Sequence, residues 1–429
     1  RLAVGPAFAR APGLWTDEAL QPRIRRAIDA RGLPRDSDWH PGTGGAIPEG
    51  PLSIGIGGDK EIRIALGRVE HGEELGAFHI ERMFGAEGRD FERICRVADE
   101  LRHDRVGDNV THVINRNINY TNICLYRCGF CAFSKGSTKS ERGPAYNIDH
   151  AEIARRTVEA RERGASEVCL QGGIHPSYDG NTYRGIVQAV KDAVPDMHVH
   201  AFSPLEVHHG ATTLGLDYED YLASLKECGL ATLPGTAAEI LSDDIRDIIC
   251  PDKLSTGEWL AVMQAAHKVG LKTTSTIMFG HVETYAHWAT HLLRLRELQM
   301  ESSGFTEFVP LPFVHMEAPN WRRGQTRSGP TWRETVLMHA VSRIALDGAI
   351  PNIQVSWVKL GPEGAAHILQ AGANDLGGTL MDESITRAAG GVNGQEFGVP
   401  EMRALAHGIG RRLQERSTLY GLAAGETVA

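Results

Sequence analysis

No stretch of this 429-residue sequence is apolar for long enough to cross a bilayer, so a membrane-spanning helix is not expected. A positive excess is also lacking. Lys and Arg number 45 against 54 Asp and Glu, a net charge of −9. That disfavours a nucleic-acid partner, which needs a basic surface to neutralise phosphates. A targeting leader is not evident, because the arginines after Arg1 are joined early by Asp17 and Glu18 and not by serines. Nor is there a disulfide framework. The seven cysteines are odd in number, and Cys95, Cys169, Cys228 and Cys250 are scattered, which reads as buried apolar thiols. Reduced thiols fit a cytoplasmic location. What remains is an ordinary globular composition, 41% hydrophobic and 23% charged. The length suits one large barrel with an extension, or two domains.

Residues 1–60 read as an N-terminal extension. Asp17–Arg31 is expected as a short helix, and the Pro/Gly-rich Gly32–Pro51 as a linker. Gly55-Ile56-Gly57-Gly58 lacks the flanking strand and helix of a phosphate loop and reads as a turn. Residues 61–109 form a helical lead-in, with Glu70–Arg102 largely helical. From 110 to 429, short β-branched runs alternate with helix-period stretches. The strand candidates are Val110–Asn119, Glu167–Gln171, His198–Phe202, Thr232–Pro234, Lys272–Phe279, Phe305–Val309, Ile353–Val358 and Asp375–Leu380. The helices between them include one opened by the Asp149/Glu152 capping signal, and Tyr183–Ala193, Asp217–Cys228, Ser255–Lys268, Tyr285–Met300 and Trp332–Asp347. Pro400–Gln414 is the expected last helix. The pattern indicates an α/β fold, a (β/α)8 TIM-type barrel with an N-terminal helical and linker extension and a C-terminal helix. Chemistry in such barrels lies at the C-terminal strand ends.

The first strand runs into Cys124, Cys128 and Cys131, spaced C-x3-C-x2-C, with Phe130 before the last. Thiolates suit iron–sulfur clusters, zinc or cuprous copper. No fourth ligand is near, which disfavours a closed zinc site and a four-cysteine electron carrier. A 4Fe-4S cluster with one open iron is expected. At the other strand ends, Gln171, Gly172 and Gly173 offer a close backbone approach, and Glu206 follows a Ser-Pro turn. Thr236 heads a series of small hydroxyl residues. Glu307 sits within an apolar strand and needs a partner there. Lys359 could take a carboxylate. Thr274 and Thr276 belong to the fifth strand. His198 and His200 share a strand face, either as hydrogen-bonded interior histidines or as a metal pair of a barrel zinc hydrolase.

The cysteine spacing at the end of a first barrel strand resembles that of the radical S-adenosylmethionine (SAM) enzymes. That resemblance implies that SAM binds the open iron through its amino and carboxylate groups. One electron then cleaves SAM, and the resulting deoxyadenosyl radical takes a hydrogen from substrate. It also implies SAM contacts from Phe130, Gln171, Gly172, Gly173, Glu206 and Thr236. A narrower resemblance covers roughly residues 100–420. Asn115–Cys124, Cys128–Phe133, Gln171–Gly173, His200–Pro204, Pro234–Glu239, Glu307–Phe313, Ser356–Gly361 and Ala373–Thr379 are similar to the CofH group. In that group L-tyrosine loses its Cα–Cβ bond, and the 4-hydroxybenzyl fragment joins 5-amino-6-(D-ribitylamino)uracil. The implied partners are a CofG-type enzyme, separate or fused in an FO synthase, and a reductase or flavodoxin electron donor. Residues 1–50 resemble the tail of a preceding barrel, so the chain is expected to be the C-terminal half of a fused enzyme. Other tyrosine lyases, aminofutalosine synthase and a non-catalytic iron–sulfur carrier are the competing readings.

Overall fold

A computed structural model describes residues 5–48, 58–135 and 144–421. Gly55–Gly57 of the glycine cluster lie outside them. Nine strands are assigned among the described residues: β1 (Asn109–Val113), β2 (Asn115–Asn119), β3 (Glu167–Gln171), β4 (His198–His200), β5 (Thr232–Leu233), β6 (Lys272–Phe279), β7 (Phe305–Pro312), β8 (Asp375–Gly378) and β9 (Arg412–Glu415). Strands β2 to β7 form one parallel sheet in sequence order, and β8-β1-β9 form a second. Single parallel bridges, Phe308–Ile353, Gln354–Asp375 and Arg116–Met381, carry the pairing from β7 through β8 back to β2. Helices cover the outside, as right-handed crossovers between parallel strands require. Their starts carry the expected caps. Asp149 accepts from Glu152 N, and Ser255 and Glu258 form a capping box.

Several expected elements differ. Val110–Asn119 is not one strand but two, in different sheets, with Ile114 between them. Ile353–Val358 is not a strand. Only Ile353 and Gln354 make bridges, because Trp357 already opens the helix Trp357–Leu369, its Nε1 donating to Gly378 O at 3.0 Å. The helical lead-in is three helices, Lys60–Glu70, Ala77–Phe84 and Gly88–Val106, not one continuous run. Asp17–Arg31 is helical only over Gln21–Arg26. The last helix is Val399–Gly408, and the chain then forms β9 beside β1 instead of continuing as helix to Gln414.

The described part of the expected linker packs on the barrel. Trp39 meets Trp332 edge to face at 4.9 Å. Arg35 donates to Gly329 O and Pro330 O at 2.9 and 3.0 Å. Ala30 N donates to the buried Glu334 at 2.7 Å, and Gly42 N to Lys359 O at 2.6 Å. Among the described residues, no helix is long and apolar enough to cross a membrane.

Candidate active site

The cysteine loop leaves the end of β2 and is braced on two sides. On the first, Gly173 N donates to Thr121 O at 2.9 Å, and Leu125 N to Ile174 O at 2.8 Å. The two glycines after β3 are required here by sterics. A Cβ on Gly172 would lie 2.3 Å from the Tyr120 ring, and one on Gly173 would lie 2.2 Å from Ile123 O and 2.9 Å from Cys124 Cβ. The close approach is therefore to the cysteine loop itself. Beneath it lies Glu206, which is buried. It accepts the Tyr120 hydroxyl, Gly172 N at 3.2 Å, and Ser203 N and Oγ at 2.7 and 2.5 Å. On the second side, Gly129 N donates to Ile249 O at 2.7 Å, Asn320 N to Gly129 O at 2.8 Å, and Arg127 N to Asp252 Oδ2 at 2.9 Å.

Burial pushes the thiols of Cys124 and Cys128 up, and Cys131 adds to both. Lys253 opposes this at each. Burial works against the Lys253 charge, yet Glu239, at 2.5 Å, and the nearby Cys128 and Cys250 hold it protonated above the ordinary lysine range. Its ammonium also lies 5.5 Å from the Phe130 ring centre. Three soft donors in one loop with a buried cation alongside fit a cluster whose thiolates carry negative charge. Among the described residues no three His, Cys, Asp or Glu side chains are already gathered as a formed metal site.

Inside the strand ring lies a cavity of about 250 Å³. Alternate residues of each strand face it: Asn117 and Asn119 from β2, Cys169 and Gln171 from β3, Thr274 and Thr276 from β6, Glu307, Val309 and Leu311 from β7. Thr236, Gln354, Ser356 and Lys359 close the wall. The cavity and the cysteine loop share a turn, since Gln171 faces the cavity while Gly173 touches Cys124. The Asn117 Oδ1 is buried with no hydrogen-bond partner. Lys359, in the first turn of its helix, donates to Thr386 Oγ1 at 2.9 Å, and burial pulls it below the usual lysine range.

The floor of the cavity is polar. Glu307 accepts the Tyr420 hydroxyl at 2.5 Å and meets Arg416 at 3.4 Å. Burial raises its carboxyl to about 7, with Asp375 adding and Arg416 and Tyr420 opposing. Arg416 binds Asp375 more closely, at 2.5 and 2.9 Å. Thr418 and Asn115 donate to Glu167 at 2.5 and 2.8 Å. His198 and His200 both bond Thr232 Oγ1, at 2.8 and 2.7 Å, and burial holds His200 down at about 4.

Of the expected site residues, Gln171, Thr236, Glu307 and Lys359 line the one cavity. Gly172, Gly173 and Glu206 support the cysteine loop, and Phe130 packs beside Lys253. Asn117 and Asn119 line the cavity as well, and alternating asparagines in a strand facing a barrel interior are themselves a sequence signal. Lys253, Arg416 and Tyr420 had none.

A cysteine loop at a strand end, abutting a cavity whose wall carries amide, hydroxyl and carboxylate side chains, defines a class, and the comparisons agree. The family model of the radical SAM superfamily matches residues 118–295, and that of the CofH/MqnC C-terminal region matches residues 302–423. The FO synthase of Nocardia farcinica is 50% identical over 336 residues, 78% of this chain and 38% of that protein. The chain thus spans well under half of that relative's length. The 5-amino-6-(D-ribitylamino)uracil–L-tyrosine 4-hydroxyphenyl transferase of Methanocaldococcus jannaschii is 49% identical over 330 residues, 76% of this chain and 91% of that protein. Among solved structures, methylornithine synthase (PylB) superposes with a TM-score of 0.60 at 18% identity, covering 81% of this chain and 97% of that one, a likeness of fold. The chain belongs to the CofH family of radical SAM enzymes.

Proposed function

We propose that this chain is a radical SAM transferase that joins the 4-hydroxybenzyl part of L-tyrosine to 5-amino-6-(D-ribitylamino)uracil, a step in making a deazaflavin chromophore. The observation that carries this reading is the 49% identity over 91% of the archaeal transferase of that name. Cys124, Cys128 and Cys131 would hold a 4Fe-4S cluster, leaving one iron for SAM. Bound there, the cluster supplies the electron that cleaves SAM reductively. Gln171, Gly172, Gly173, Thr236 and Phe130 are the residues proposed to face SAM. Glu206 has its oxygens engaged by Tyr120, Ser203 and Gly172, which supports a positioning role through the turn. Asn117, Gln171, Gln354 and the threonines offer both donors and acceptors, suited to a pyrimidine and its polyol chain. Lys359 is the candidate for the tyrosine carboxylate, and Glu307 for proton transfer. Walls that hold both substrates at near-attack geometry are the protein's main contribution to such a coupling. A one-electron donor and a CofG-type enzyme, separate or fused, complete the proposal.

Anaerobic reconstitution, then incubation with dithionite, SAM, tyrosine and the ribitylaminouracil, tests it by mass spectrometry. The expected products are 5′-deoxyadenosine and the coupled adduct. Tyrosine cleavage that gives cresol or glyoxylate without adduct would make the chain a lyase.

A further inference from the structure

The segment Arg416–Gly421 plugs the end of the strand ring opposite the cysteine loop. It enters through β9, and a tight turn closed by Ser417 N to Gly421 O at 2.8 Å aims Tyr420 inward. Tyr420 pays for this with a left-handed backbone, φ 62°, which a bulky residue keeps only where its surroundings impose it. Its ring lies under Arg416, 4.0 Å from the guanidinium carbon, and its hydroxyl donates to Glu307 Oε2 at 2.5 Å. A purely structural carboxylate would be fully paired. Arg416 instead gives its short bonds to Asp375 and reaches Glu307 only at 3.4 Å. Glu307 Oε1 has no hydrogen-bond partner among the described residues, and Glu307 lines the cavity. Tyr420 is half-buried, so the pair links the cavity to the far end of the ring.

We propose that Glu307 accepts a nitrogen- or oxygen-bound proton from the polar substrate in the cavity, and that Tyr420 is its positioning residue, holding one carboxylate oxygen so that the other is left to face the cavity. This rests on the transferase reading only for the substrate's class. The substrate N–H or O–H bond breaks and leaves its electron pair on the substrate. An O–H bond forms on Glu307 Oε1, while the Tyr420 hydroxyl keeps its proton and goes on donating to Oε2. No electron changes hands. The groups facing Glu307 are Arg416 and Tyr420 from the tail, Asp375 from β8, and Glu167 and Cys169 from β3, with His200 of β4 on the same cavity wall. A carboxyl held near neutrality by burial suits a group that both takes and gives a proton.

The test is a pH titration of the protonated-carboxyl infrared band, without substrates, in the wild type, Glu307→Gln and Tyr420→Phe. The band should titrate near neutral pH and vanish in Glu307→Gln. In Tyr420→Phe, losing a donor to the charged form should raise the midpoint by about one pH unit. The acid limb of the rate profile should move with it, and Glu307→Gln should lose on the order of 100-fold in adduct formation. A band that persists in Glu307→Gln, or a midpoint unmoved in Tyr420→Phe, overturns the proposal. Because the titration uses no substrate, it tests the Glu307–Tyr420 pair whether or not the wild type makes the adduct.

Discussion

At Gly173 there is room for a hydrogen and nothing more, because Ile123 O and Cys124 Cβ occupy the space a side chain would need. Gly173→Ala should force the cysteine loop aside at a cost of about 1–3 kcal/mol, as overpacking does. Urea denaturation and iron content after reconstitution measure this, and a variant with full stability and full iron would sink the idea. The cysteines could be read from the sequence because all three sit in one loop and declare themselves by spacing. Lys253 could not. Its burial depends on Glu239, 14 positions earlier, and on a fold that brings both under the loop. The mutual position of Glu307 and Tyr420, 113 residues apart, is likewise a product of the tail's path and not of any local pattern.

Among elements, the N-terminal strap and the helix Trp332–Ala345 are joined through buried charge. Glu334 accepts Ala30 N and pairs with Arg327, while Arg333 pairs with Asp29. Glu334→Ala should leave Arg327 with Glu283 alone, at 3.5 Å, and release the strap, costing about 3 kcal/mol. Limited trypsin digestion should then cut at Arg31 or Arg35 well before the barrel. Equal cleavage in both proteins would show that the strap is held by Trp39 alone. Periodicity placed some elements to the residue, notably Glu167–Gln171 and Lys272–Phe279. It stopped β7 early, because Pro310 is expected to end a strand, yet the strand runs through it and ends on Pro312. It also missed β9, four residues long and polar at its ends, whose strand character comes from lying beside β1.

Across the whole molecule, buried histidines govern the acid response. Burial holds His200, His267 and His339 at about 4, and His291 and His315 at about 3. Unfolded histidines titrate near 6.5, so between those values the unfolded chain binds more protons, and stability falls as pH falls. Each such histidine contributes a slope of roughly 1.4 kcal/mol per pH unit once the unfolded form is protonated. Glu307, whose folded value is raised, acts in the opposite sense over part of that window. Urea midpoints should therefore drop steeply from pH 7 to pH 5, and a flat profile would contradict the burial of these rings. The floor plug has a consequence for synthesis. Glu307 leaves the ribosome 113 residues ahead of the tyrosine that completes its environment. A nascent chain that already displays its cysteines thus carries a barrel open at the far end, and any cluster loaded then would face water until the tail is made.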